Sequence, residues 1–217
     1  ANKNVSINGE QIASPSGDSR AIPLDVIPSD MLSSIEVTKA ITPDMEGSSI
    51  GGTINLNTLE APRGERILDA SLGAGYNNNV QDISPVFGKG SFTYGNRFGD
   101  DQQWGFIIGG SHNVTSRSTN NNEMEYGDTE LEAIILQDDE ITRTRTGITT
   151  TLDYQFNEES SVYLSGIFNR FSDQEYSRAI AVEPDVVERE LKDRLETATI
   201  MNFSGGGSHM LSDTWQI

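Results

Sequence analysis

The chain has 217 residues, no cysteine, 21 glycines and a formal charge of −18 from 15 basic and 33 acidic side chains, with 35% hydrophobic and 7% aromatic residues. The apolar share is too large for a wholly disordered acidic chain, and the lack of thiols excludes disulfide scaffolds, thiolate metal sites and cysteine catalysis. Negative charge without a segregated basic patch argues against a nucleic-acid partner, because phosphate is repelled.

The sequence contains no apolar run of the roughly 20 residues that a membrane-spanning helix needs. A membrane β-barrel stays open, since its strands are only half apolar. The chain opens at Ala1 with ANKNVSINGE, which lacks a charged region followed by an apolar one. The expectation is that a leader has been removed or that the chain is a piece of a longer protein.

In chain order, composition shifts near Pro62, giving expected units 1–62 and 63–217. The first unit carries short apolar patches from Ile22 to Ile27, Ile35 to Ile41 and Ile50 to Leu56. Pro28, Ser29 and Asp30 set up a turn or short helix start, followed by a strand IEVTKA containing Glu36. Thr42, Pro43 and Asp44 form a second helical start that stops at Gly47. Gly51 and Gly52 precede a strand TINLNT, where missing Cβ atoms let another backbone approach. The expected first unit is thus small and mixed α/β.

The second unit alternates with period 2. Leu68, Ala70, Leu72, Ala74 and Tyr76 are apolar while Asp69, Ser71, Gly73 and Gly75 are small or polar, the mark of a strand with two unlike faces. The pattern recurs through Phe92, Tyr94 and Phe98; Trp104, Phe106, Ile108 and Val114; Ile148, Leu152, Tyr154 and Phe156; and Val162, Leu164 and Phe168. A last segment, Leu195 to His209, alternates poorly. Gaps alternate in length: NNNVQDISPV, then short GDDQQ, long Ser118–Glu140, short NEESS, long Ser177–Lys192 and short LSDT. Antiparallel strands joined in that rhythm put all long loops at one end, as in outer-membrane barrels. Phe98, Trp104, Tyr154 and Phe156 near the short turns suit an interfacial aromatic girdle. A soluble sandwich is the competing reading, disfavoured because soluble strands commonly run about 5 to 6 residues.

The runs IPSDMLSSIEVTKA and TPDMEGSSIGGTINL resemble the second half of the plug domain of TonB-dependent outer-membrane receptors, and VSINGEQI resembles the strand and loop just upstream. The likeness is to the proteobacterial branch with a DVIPSD, IEVTKA, TPDM and IGG string, and covers residues 5 to 58. Pro28, Asp30, Glu36, Pro43, Asp44, Gly51 and Gly52 belong to that plug motif. The resemblance implies a plug inside a barrel of about 22 strands, of which this chain would hold the first six to seven. It also implies a Gram-negative outer-membrane location, lipid and lipopolysaccharide as surroundings, and a TonB energy-coupling complex acting through a segment absent from the chain.

Under that resemblance Lys89, Arg97, Arg117, Arg143 and Arg145 share the lumenal parity, and Arg170 breaks it, so a bulge, a position near a loop or a lipopolysaccharide contact is expected there. The implied activity is uptake of a small nutrient, with carbohydrate preferred and iron chelate or cobalamin kept as alternatives, low aromatic content counting against sugar stacking. Ser16, Asp18, Ser19 and Arg20 at the plug apex are candidate ligand contacts. Arg143 and Arg145 are candidates too, or pair with carboxylates such as Asp25 or Glu36.

No catalysis, cofactor or metal site is expected. His112 and His209 are far apart, and GSSIGG lacks the lysine of a phosphate loop. Eight carboxylates between Ser118 and Thr142 (Glu123, Glu125, Asp128, Glu130, Glu132, Asp138, Asp139 and Glu140) read as a solvated acidic loop ahead of a cation-capturing one. The rival functions are a soluble β-rich surface binding or adhesion domain, and an acid-pair hydrolase requiring two convergent carboxylates.

Overall fold

The computed structural model describes residues 4–11, 32–39, 52–80, 83–128, 130–157, 159–212 and 215–216. Among them there is no helix: the elements are β1 (Asn4–Ile7), β2 (Glu10–Gln11), β3 (Leu32–Thr38), β4 (Thr53–Thr58), β5 (Ile67–Tyr76), β6 (Val86–Phe98), β7 (Trp104–Tyr126), β8 (Leu131–Asn157), β9 (Ser160–Val182), β10 (Val187–Ser212) and β11 (Trp215–Gln216). The expected mixed α/β first unit is therefore corrected, over its described residues, to an all-β one. Its segments VSI, IEVT and INLNT alternate β-branched and polar residues, and each finds its backbone partners in another strand. The turns expected at Pro28–Asp30 and Pro43–Gly47 lie outside the described residues.

The first sheet has the order β2-β1-β4-β3. The β1–β2 hairpin turns on Asn8 and Gly9, both at positive φ (50° and 84°), as a two-residue turn with a primed twist requires. β1 then runs parallel to β4, with Val5 beside Ile54 and Ile7 beside Leu56. β3 pairs antiparallel with β4, Ile35 opposite Leu56 and Val37 opposite Ile54. Gly52 sits at φ 101°, and a Cβ there would meet the Thr38 carbonyl oxygen at 2.6 Å. The close approach read from the sequence is present at that residue, while Gly51 lies outside the described residues.

The second sheet runs β5 to β11 in sequence order and is antiparallel throughout, the simplest up-and-down connection. It is open, with β5 at one edge and the short β11 at the other. The segments expected as long loops are mostly strand. β7 and β8 stay paired out to Tyr126 and Leu131, and β9 and β10 out to Val182 and Val187. The carboxylates from Glu123 to Glu140 thus belong mainly to a hydrogen-bonded hairpin and not to a loop.

The two sheets meet in one apolar cluster. Val5, Ile7 and Leu56 from the first pack with Ile167, Phe171 and Ile200 from β9 and β10, with Leu32, Ile54 and Ala198 around them. Gly52→Ala should destabilise this small sheet by about 1–3 kcal/mol, since the new Cβ would meet a carbonyl at a strained φ. Thermal unfolding checks it, and an unchanged melting temperature would contradict the reading.

Candidate functional site

Register fixes which side chains share a face of the large sheet. One inner row runs Gly73, Lys89, Asn113, Arg145 and Phe171, and a second runs Thr93, Gly109, Thr149 and Ile167. The opposite face carries Leu68, Leu72, Phe92, Tyr94, Phe106, Ile148, Leu152, Leu164, Met201 and Phe203. These apolar residues are not packed into a core: Leu72 is 94% and Phe203 79% exposed. At the short-turn end of this face Trp104 and Tyr154 have ring centroids 4.6 Å apart, Tyr154 and Phe156 4.8 Å, and Phe98 lies opposite Trp104.

A polar row interrupts this apolar face. His112 and Thr146 share a 2.9 Å hydrogen bond there, and Arg170 stands opposite Thr146 and Thr199. The ladder runs through Arg170 without a register shift, so the expected bulge is absent; the residue marks the upper border of the apolar band. Beyond it the same face mixes Thr142, Thr144, Ser172 and Gln174 with exposed apolar residues, among them Leu195, Leu191 and Leu136.

The inner face is charged, and its charges largely answer one another across neighbouring strands. Arg143 Nε donates to Asp173 Oδ2 at 2.7 Å, and Glu175 accepts from Lys192 at 3.1 Å and is ion-paired with Arg194 at 2.8 Å. Arg143 is thus paired with Asp173, its register partner on β9. Arg145 lies over the Phe171 ring, 5.5 Å from its centroid. Glu36 is exposed on β3, and Asp25 lies outside the described residues. So do Ser16, Asp18, Ser19, Arg20, Pro28, Asp30, Pro43 and Asp44, which leaves Arg143 and Arg145 as the described ligand candidates.

Arg97 joins the two sheets at the short-turn end, a role that parity alone did not reveal. Its side chain is 5% exposed and ion-paired to Asp153, while Nε donates to the Gln102 carbonyl at 2.8 Å and Nη1 to the Ala61 carbonyl at 3.2 Å. One guanidinium thus ties the linker, the β6–β7 turn and β8 together. Gly105 leaves the room for it, since a Cβ there would collide with both Asp153 and Arg97. Arg63 reaches Gln155 nearby. A cavity of about 740 Å³ opens between the sheets at this end, lined by Asn8, Asn57, Thr58, Arg97, Thr151 and Tyr163 among others.

Asn169 is fully buried beside Ile200 in the apolar cluster, and neither amide atom has a hydrogen-bond partner among the described residues. The two histidines lie apart: His209 contacts Ser160 at 2.6 Å, far from the His112–Thr146 pair. Among the described residues no three His, Cys, Asp or Glu side chains are grouped to hold a metal.

No family model and no curated protein matches this chain. Among solved structures it is similar to the crystal structure of BauA, the ferric preacinetobactin receptor from Acinetobacter baumannii, at 15% identity and a TM-score of 0.42. That likeness covers 95% of this chain and 36% of the receptor, so the chain spans about a third of that protein's length.

Arg97→Ala should cost about 2–4 kcal/mol, because Asp153 would lose its cation in a largely buried position. Arg97→Lys should recover only part of this, since an ammonium cannot reproduce the fork. Denaturant unfolding separates the two variants, and equal stability for wild type and Arg97→Ala would contradict the assignment. Asn169→Leu should leave stability unchanged or raise it by about 1 kcal/mol, because an unsatisfied amide is replaced by an apolar side chain of similar size. A loss above about 2 kcal/mol on unfolding would show that the amide is satisfied.

Proposed function

We propose that the chain forms part of the wall and the inner plug of an outer-membrane uptake receptor for a small nutrient, energised by a TonB-type partner. The observation that carries this reading is the banded outer face. From Ser160 to Arg170 is ten residues. At a rise of about 3.3 Å and a tilt of about 40° this spans about 25 Å, the height of the apolar belt of a membrane barrel. Exposed leucines and phenylalanines fill that interval, aromatic rings border it below, and His112, Thr146 and Arg170 border it above. An apolar surface of this extent is unstable in water and suits lipid.

The inner face supports the same reading. Its ion pairs face the first sheet, which is seated on Ile167, Phe171 and Ile200 as a plug would be. The plug-like sequence runs and the side of the wall on which this sheet lies are mutually consistent. The open edges are consistent with further strands completing a barrel, because unpaired strand edges in hydrocarbon cost several kcal/mol per group. Coupling to a TonB-type partner follows from the sequence resemblance alone.

Leu164→Arg should impair insertion of the full-length protein into lipid vesicles by about 2–4 kcal/mol, whereas Thr93→Lys on the inner face should be tolerated. Folding into vesicles, followed by gel mobility before and after heating, gives the comparison. Equal tolerance of both variants, or a full-length protein that stays monomeric in water without detergent, would favour a soluble β-domain instead.

A further inference from the structure

Two adjoining cavities, of about 610 and 260 Å³, lie along β5, β6 and β7 and share Phe87 and Thr115. Their size is in the range of small-ligand sites. Phe87 and Lys89 of β6 and Asn113 and Arg117 of β7 all have inner-face parity, at the height of Arg143 and Arg145 on the adjoining strand. The Phe87 ring lies over Gly75, whose missing side chain makes the space for it.

The chemistry of the lining is unlike that of the chain as a whole. A protein with 33 acidic residues places no carboxylate among the described residues lining either cavity. It places there two exposed cations, Lys89 and Arg117, which have no ion pair or hydrogen bond among the described residues, whereas Arg97, Arg143, Lys192 and Arg194 are all paired. A buried polar atom of the lining, Asn113 Oδ1, also lacks a hydrogen-bond partner among the described residues. The segment 77–79 crosses the edge of β7 here, Asn77 Nδ2 donating to the Ser116 carbonyl at 3.2 Å.

Cations left without a partner among the described residues of so acidic a chain are suited to an external anion, and an orphan polar atom near an aromatic ring is suited to a hydroxyl on an apolar carbon frame. We propose that this groove binds a polyhydroxylated ligand bearing carboxylates, Lys89 and Arg117 taking the carboxylates, Asn113 a hydroxyl, and Phe87 the ligand's C–H face. The inference rests on the uptake reading and narrows its substrate. Two sources share this chemistry, an acidic oligosaccharide and a ferric hydroxycarboxylate.

The test is binding calorimetry on the full-length protein in detergent micelles with trigalacturonate, ferric citrate and neutral maltotriose. At least one of the two anionic probes should bind, and which one it is identifies the source. Lys89→Gln and Arg117→Gln should each weaken that binding about tenfold, and Lys89→Arg should retain it. Unchanged affinity in the double glutamine variant, no binding of either anionic probe, or maltotriose binding as tightly as trigalacturonate would each overturn the proposal. Vesicle insertion is measured on the same samples. A protein that inserts but binds neither probe refutes the groove alone, while one that does not insert refutes the uptake reading beneath it.

Discussion

The constraint on which the large sheet depends is parity. Successive side chains of a strand point to opposite faces, so a slip of one residue anywhere would exchange the two surfaces. From β5 to β9 the registers keep Leu68, Tyr94, Ile108, Thr150 and Gly166 in one outer row and Lys89, Asn113, Arg145 and Phe171 in one inner row. Such agreement across consecutive hairpins separates a surface of leucine and phenylalanine from one of lysine, arginine and aspartate. Turn length helps to hold it: the hairpins at 99–103 and around Glu159 are short, so the strands they join have little freedom to slide.

The same separation explains the placing of the small sheet. Its apolar face, Val5, Ile7 and Leu56, meets an apolar patch on the charged wall, Ile167, Phe171 and Ile200. Around that patch the contact is polar, with Arg97 reaching the Ala61 carbonyl and a cavity of about 740 Å³ left open. Asn169 lies inside the patch with both amide atoms unbonded, which weakens the apolar contact that it interrupts. The inter-sheet contact thus combines a few apolar anchors with a wetted polar margin, a pattern closer to a domain interface than to a core.

Much of this was legible in the sequence and some of it could not have been. Alternation identified the outer residues from Leu68 to Phe168 and the strands IEVT and TINLNT, because each has one face unlike the other. It failed for Ser118–Glu140 and Ser177–Lys192, which read as loops. Both faces of those hairpins mix apolar and polar residues, Ile135 lying on one and Leu136 and Leu191 on the other, so the hydrogen-bonded ladder continues while the hydropathy period that reveals strands disappears. Helical starts drawn from Pro28 and Pro43 led to a mixed first unit, whereas its described part is a sheet in which β1 pairs in parallel with β4 across a long stretch of chain. Local cues do not report pairing of that kind. Parity also placed Arg143 on the inner face without giving its partner. Asp173 is set by the β8–β9 register, which depends on the turn and on the whole ladder. That Lys89 and Arg117 have no ion-pair partner among the described residues is visible only once those registers are known.

The most direct test of the central claim is a nitroxide scan of the full-length protein in lipid bilayers, with single spin labels from residue 160 to residue 174. The account predicts period-2 alternation, with labels at 162, 164, 166 and 168 accessible to oxygen dissolved in the lipid. Labels at 161, 163 and 165 should be shielded from it, and the contrast should be lost beyond Arg170. Accessibility to a water-soluble relaxation agent at 162, 164 and 168, or no alternation along the strand, would contradict it.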